Sequence, residues 1–293
     1  MRIKPISISL SPNTEKDDVW LAFKLLFQPW LWRNNTKSAA AENVLETKLQ
    51  KYLEVKHAFA FNSGRSSLMA ILNALGLQKG DEVLLQAFTC NAVPNPVLWA
   101  GLRPIYVDCR EDDLNINPVD LEKKITLRQA QGGRPRVVIV QHTFGLAADM
   151  DRIVEVCKRH NLILIEDCAH ALGATYKGKR VGTLGRAAFF SFSRDKVISC
   201  VYGGMAVTND PELAKNLRRF QENVGYPSLF WILQQLRHPV VMNWKILPFY
   251  AIGGKYILII AQWLHILSKA VHWKEKRGKM PGYFPRRLPN ALA

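Results

Sequence analysis

Between residues 58 and 224 the sequence repeats one unit: a short apolar run, a polar or glycine-marked turn, then a stretch with apolar residues at helical spacing. Such alternation is the pattern of crossover connections, which lay parallel strands in one sheet with helices on its faces. The expected fold is α/β, a three-layer α/β/α arrangement with a mostly parallel sheet. The first unit, HAFAFNSGRSSLMAILNALGL, turns through Ser63 and Gly64 into a helix spaced by Leu68, Ile71, Leu72 and Leu75. DEVLLQAFTCNAVPNPVLWAG places Phe88 to Asn91 at the top of the sheet. Further on come a strand over Pro104 to Asp108, a helix starting near Pro118, the strand VVIVQH, and the turn and helix of HTFGLAADMDRIVEVCKRHNL. Residues 128–135, RQAQGGRP, read as an exposed loop, and residues 39–52 as a helix ahead of the first unit.

The most informative unit is the last, LILIEDCAHALGATYKGKRVGTLGRAAFFSFSRDKVISCVYGG, over Leu162 to Gly204. One apolar run delivers Glu166 and Asp167 at its C-terminal end, and a second, Ala187 to Phe192, leads into Lys196. Ligands of open α/β sheets sit outside the C-terminal ends of the strands, so this carboxylate and this lysine can face one ligand. The pair suits pyridoxal 5'-phosphate, which is carried on a lysine amine while a carboxylate keeps its pyridine nitrogen protonated. Taken alone, Asp167 reads as a helix cap and Lys196 as one of many solvated lysines. The turn at Ser63 and Gly64 adds helix N–H groups, and with the hydroxyls of Ser66 and Ser67 these form a cradle for phosphate.

EDCAHALGA, SFSRDK and the downstream GGM resemble the signature of the DegT/DnrJ/EryC1/StrS aminotransferases, in consistent order over residues 5–225. The resemblance implies the aspartate aminotransferase fold and a pyridoxal phosphate enzyme acting on sugars. It makes Lys196 the Schiff-base lysine, Asp167 the partner of the pyridinium and His170 a neighbour of the ring hydroxyl, with Ser63, Gly64, Arg65, Ser66 and Ser191 anchoring the phosphate. The family's ring-stacking aromatic falls on Cys90 here, with Phe88 two residues earlier. Family members that dehydrate sugars carry histidine at the lysine position; this chain has Lys196.

The chain has 293 residues, 48% of them hydrophobic, which is enough for a sizeable core. No signal-peptide pattern opens the sequence, and the five cysteines show no zinc or redox spacing, so they read as reduced, mostly buried thiols of a cytoplasmic protein. No metal site is expected. The formal charge is +16, and residues 226–293 hold ten lysines and arginines against the single Glu275. No nucleic-acid motif accompanies this charge, which excludes nucleic acid as the expected partner. The basic, tryptophan-rich end instead allows a peripheral contact with the inner face of the membrane. Leu247 to Leu267 is apolar but interrupted by Lys255, Gln262 and His265, so it reads as amphipathic or buried helices rather than a span.

Three parts are expected: an N-terminal arm over 1–45 containing VWLAFKLLFQPWLW, a cofactor-binding domain over 46–225, and a basic, apolar connecting region over 226–293. The final RRLPNALA resembles the start of a family segment that continues into a small C-terminal domain, so that domain is expected to be truncated. The resemblance also places Pro285 where the family has an asparagine reaching a neighbouring subunit's phosphate. The expected activity is conversion of a keto sugar, nucleotide-linked, to an amino sugar with glutamate as donor, by a homodimer in polysaccharide or cell-surface glycan biosynthesis. The alternatives are a non-catalytic membrane-associated or regulatory protein that keeps the fold, and a pyridoxal-phosphate-dependent sugar dehydratase.

Overall fold

The computed structural model describes residues 10, 11, 13–33 and 40–293. Its strands are β1 (His57–Phe61), β2 (Glu82–Gln86), β3 (Arg103–Val107), β4 (Pro135–Gln141), β5 (Ile163–Asp167), a small hairpin of β6 (Thr175–Tyr176) and β7 (Lys179–Arg180), β8 (Ala187–Ser191) and β9 (Gly204–Thr208). Seven of them form one sheet in the order β1-β9-β8-β5-β4-β2-β3. β9 is antiparallel to both neighbours, and the other pairings are parallel. The helices are α1 (Lys16–Leu26), α2 (Ala41–Leu53), α3 (Gly64–Ala74), α4 (Pro94–Trp99), α5 (Pro118–Ala130), α6 (Met150–Arg159), α7 (Pro211–Val224), α8 (Leu229–Val241) and α9 (Lys255–Trp263).

The middles of the central strands β2 and β4 are continuously apolar because both faces of the sheet are covered there. Val83 and Leu85 of β2, and Val137 and Ile139 of β4, pack with Leu68, Ile71 and Val97 of α3 and α4 and with Leu213 and Leu217 of α7. The alternate residues Leu84, Val138 and Val140 meet Leu121 and Ile125 of α5 and Ile153 and Val156 of α6. Three layers follow directly. Towards β1, β8 and β9, a further cluster joins Ala60, Phe190 and Met205 to Val19 and Ala22 of α1, Trp231 and Leu236 of α8, and Phe284 and Leu288.

Several local expectations change. The end of α5 runs through Arg128, which leaves the expected loop to pair with Glu82 at 2.6 Å. Glu82 is buried, and an unpaired charge there would be costly. Of the five free cysteines only Cys157 and Cys168 are buried, and Cys90 is exposed. After α8 the chain bends through residues 242–254, breaks at Gly253 with φ 150°, and continues as α9. That helix is not buried: only Ala261 is fully covered, and Lys255 and Gln262, seven residues apart, share one stripe of an otherwise apolar helix. At the other edge of the sheet, Asn62 N donates to Arg286 O at 2.9 Å and Arg287 bridges to Phe61, covering β1.

Candidate active site

β5 ends at Asp167 and β8 at Ser191, side by side in the sheet, and a cavity of about 510 Å³ opens at these ends. It is the size of a small-molecule site. Asp167 is buried, and its Oδ1 accepts from Ala169 N at 2.9 Å. Burial pushes its carboxyl up to about 6, against the opposing pull of that N–H and of the Lys196 charge. A buried carboxylate held this way lacks a full counter-charge. A protonated pyridine nitrogen bound in the cavity would supply one.

Lys196 sits in the turn after β8, its N–H bonded to Ser193 O at 3.0 Å. Its Nζ lies 2.8 Å from His170 Nε2 and donates to Asp195 Oδ2 at 2.9 Å. Burial and the Lys196 charge hold His170 below its usual range, so Nε2 is the neutral acceptor of a lysine proton. Asp195 is drawn below the usual carboxylate range by Ser193 and Lys196 despite its burial. Asn13, ahead of α1, donates its Nδ2 to Lys196 O at 2.6 Å.

Another wall of the cavity forms where α3 begins. Ser63 caps the helix, its Oγ accepting from Ser66 N at 3.1 Å, and the first-turn N–H groups of α3 have no partner within the helix. Glycine is needed at 64 because a Cβ there would stand 3.0 Å from Ser191 Cβ, and at 204 because one would strike the Ser63 backbone. Ser63, Gly64, Arg65 and Ser191 all line the cavity. The hydroxyls of Ser66 and Ser67 do not. Both turn into the helix start, Ser66 Oγ donating to Asn62 Oδ1 at 2.7 Å and Ser67 Oγ to Ser63 O at 3.1 Å. Each turn of helix rotates successive side chains apart, so a run of serines cannot all face one ligand. Arg65 is also engaged by Glu275, 2.9 Å away and buried.

Cys90 and Phe88 both line the cavity. Sequence reasoning missed Phe144, which stacks on the His170 ring at 5.9 Å and 9° and meets Phe88 edge-on at 6.2 Å. It also missed Arg194, which lies against the cavity and is fixed by Ser268 O and Oγ at 2.9 and 2.5 Å. Arg194 was in view within SFSRDK; nothing in the sequence signals Phe144 or Ser268.

Glu166, next to Asp167, points to the other face of the sheet. Its Oε1 accepts from Leu184 N and Gly185 N, both at 2.7 Å, and its Oε2 from Gly182 N at 2.8 Å. His142 Nε2 stands 3.1 Å from Oε2, and because His142 Nδ1 accepts from Ala148 N, Nε2 carries the proton. His142, Glu166 and Cys168 are close enough to hold a metal, but every imidazole nitrogen and both carboxylate oxygens are already used. This is a structural clamp on the loop that leads into β8. Glu166→Ala is expected to cost at least about 3 kcal/mol in urea unfolding, because the N–H groups of Gly182, Leu184 and Gly185 and His142 Nε2–H lose a buried acceptor, each at about 1–3 kcal/mol.

A sheet of this topology, with a buried carboxylate, a lysine and a helix start converging on one cavity, defines the large domain of a pyridoxal-phosphate-dependent transferase. Residues 30–233 match the profile of the DegT/DnrJ/EryC1/StrS aminotransferase family, and the chain belongs to that family. It is 36% identical over 235 residues to GDP-perosamine synthase of Caulobacter vibrioides, covering 79% of this chain and 60% of that protein. To the putative pyridoxal phosphate-dependent aminotransferase EpsN of Bacillus subtilis it is 34% identical, covering 67% of this chain and 50% of that one. Among solved structures, DesV of S. venezuelae in complex with a ketimine intermediate superposes with a TM-score of 0.65 at 28% identity, covering 89% of this chain and 70% of that one. Helicobacter pylori PseC, an aminotransferase of pseudoaminic acid biosynthesis, gives 0.63 at 27%, covering 73% and 55%. The chain thus spans half to three-fifths of the length of these curated relatives.

Proposed function

We propose that this chain is the cofactor-binding part of an aminotransferase that converts a nucleotide-linked keto sugar to an amino sugar, with glutamate as donor, for polysaccharide or cell-surface glycan biosynthesis. The observation that carries the reading is the convergence of Asp167 and Lys196, from neighbouring strand ends, on one cavity. Bound there, pyridoxal phosphate supplies an electron sink that no protein side chain offers.

The residues divide the remaining work. Lys196 Nζ is the amine that carries the cofactor, and the same atom is placed to take and return a proton, with neutral His170 Nε2 at 2.8 Å to share it. Asp167 holds a negative charge opposite the pyridine nitrogen. Ser63, Gly64, Arg65 and Ser191 grip the phosphate, so the cofactor stays in place when its covalent link is exchanged. Cys90, which lines the cavity, would take the position beside the ring. Lysine rather than histidine at 196 sets the chain apart from a dehydratase. A cytoplasmic homodimer completes the proposal.

The test is absorbance followed by turnover. Incubation with pyridoxal phosphate is expected to give a visible band that borohydride removes, and a panel of nucleotide-linked keto sugars with glutamate is expected to release 2-oxoglutarate. A chain that takes up no cofactor overturns the aminotransferase reading. A loaded chain that accepts no keto sugar overturns the substrate assignment.

A further inference from the structure

A run of exposed apolar side chains lies outside the family-matched residues, on the helical turn-back that follows α8. The inner side of this segment is a small core of Met242, Ile246, Ala261 and Leu267, so α9 folds back onto the residues just after α8. Its outer side carries Phe249, Ile252, Tyr256, Ile257, Ile259, Ile260, Trp263 and Leu264, all exposed, with Ile252 86% and Trp263 76% accessible. A contiguous patch of this kind marks an interaction site.

Charge decides what covers it. Residues 226–274 contain no aspartate or glutamate, while Lys245, Lys255 and Lys269 are exposed around the patch. The first acid beyond, Glu275, is buried against Arg65. A second copy of the same face would bring these cations against their own kind, whereas an anionic bilayer complements them. Tryptophan and tyrosine beside aliphatic side chains also suit the headgroup boundary.

The segment is built to lie on a bilayer surface, not to cross it. The stretch Leu229–Trp263 has the length and composition of a span, but α8 is committed to the core through Trp231, Ile232, Leu236 and Val240. What remains free is α9, nine residues and so about 14 Å long, half of a hydrocarbon core of about 30 Å. We propose that the apolar outer face of residues 249–264, with its surrounding lysines, docks this protein on anionic phospholipid membranes as a monotopic contact.

The test uses the whole chain with its cofactor, floated with vesicles of phosphatidylcholine alone or mixed with phosphatidylglycerol. The expected result is binding to the mixed vesicles that weakens as salt rises, with tryptophan emission moving to the blue. Ile260→Asp with Trp263→Asp is expected to reduce vesicle binding at least tenfold, and Lys245→Glu with Lys255→Glu to remove the preference for anionic lipid. Both pairs lie on the surface, so the borohydride-sensitive band should persist, which separates this inference from the enzymatic one. Binding to neither vesicle overturns the proposal, as does binding unchanged in the Ile260→Asp, Trp263→Asp variant. So does sedimentation showing that this variant converts a dimer to a monomer while the parent ignores vesicles, which would make the face a contact between copies.

Discussion

Lys196→Ala is expected to remove the covalent attachment of pyridoxal phosphate and to abolish transamination while leaving the fold intact. The side chain is held by two polar contacts at the cavity, to His170 and Asp195, and supports no part of the core. Its loss should change unfolding free energy by no more than about 1 kcal/mol. The catalytic loss is of another order, because the one group that both carries the cofactor and moves the proton is gone. Proton transfer alone is worth about 10²–10⁴-fold in rate. Mass spectrometry after borohydride should find the adduct on Lys196 in the parent chain and on no residue in the variant. An adduct on a different lysine would remove Lys196 from this role, whatever the activity showed.

The parts of this arrangement visible in the sequence were those governed by local rules. Alternating strand and helix patterns gave the layers, because the residues of β2 and β4 had to satisfy cores on both faces. The strand-end rule placed Asp167 and Lys196 together, since both groups leave adjacent parallel strands at the same edge. Local rules could not say which hydroxyl of SGRSS faces outward. That is set by the start of α3 packing on Ser191, a contact between distant parts of the chain. Nor could they show that Glu275 and Ser268 come back from the C-terminal region to hold Arg65 and Arg194 at the cavity. α9 escaped for a different reason. Periodicity assumes that an apolar helix has a partner, and this one fully buries only Ala261.

Asp167→Asn should lower turnover by orders of magnitude yet make the cofactor-free protein more stable at neutral pH. An amide keeps the shape and can still accept from Ala169 N, but it brings no negative charge to hold a proton on the pyridine nitrogen. The stability effect follows from the pKa, which rises on folding from 3.8 to about 6. Below 3.8 both folded and unfolded chains hold the proton, so folding carries no penalty from this group. Between 3.8 and about 6 the unfolded chain releases a proton that the folded chain keeps, so stability falls as pH rises. Above that window the full cost is present, on the order of 2–3 kcal/mol. The asparagine variant has no such dependence, and urea unfolding of the two cofactor-free proteins should converge near pH 4 and separate by pH 7, with the variant the more stable. Adding pyridoxal phosphate should reverse the order, because only the aspartate gains a counter-charge. Parallel pH profiles for the two proteins, or near-parental turnover in the variant at matched cofactor occupancy, would mean that Asp167 is a structural cap and that another group faces the pyridine nitrogen.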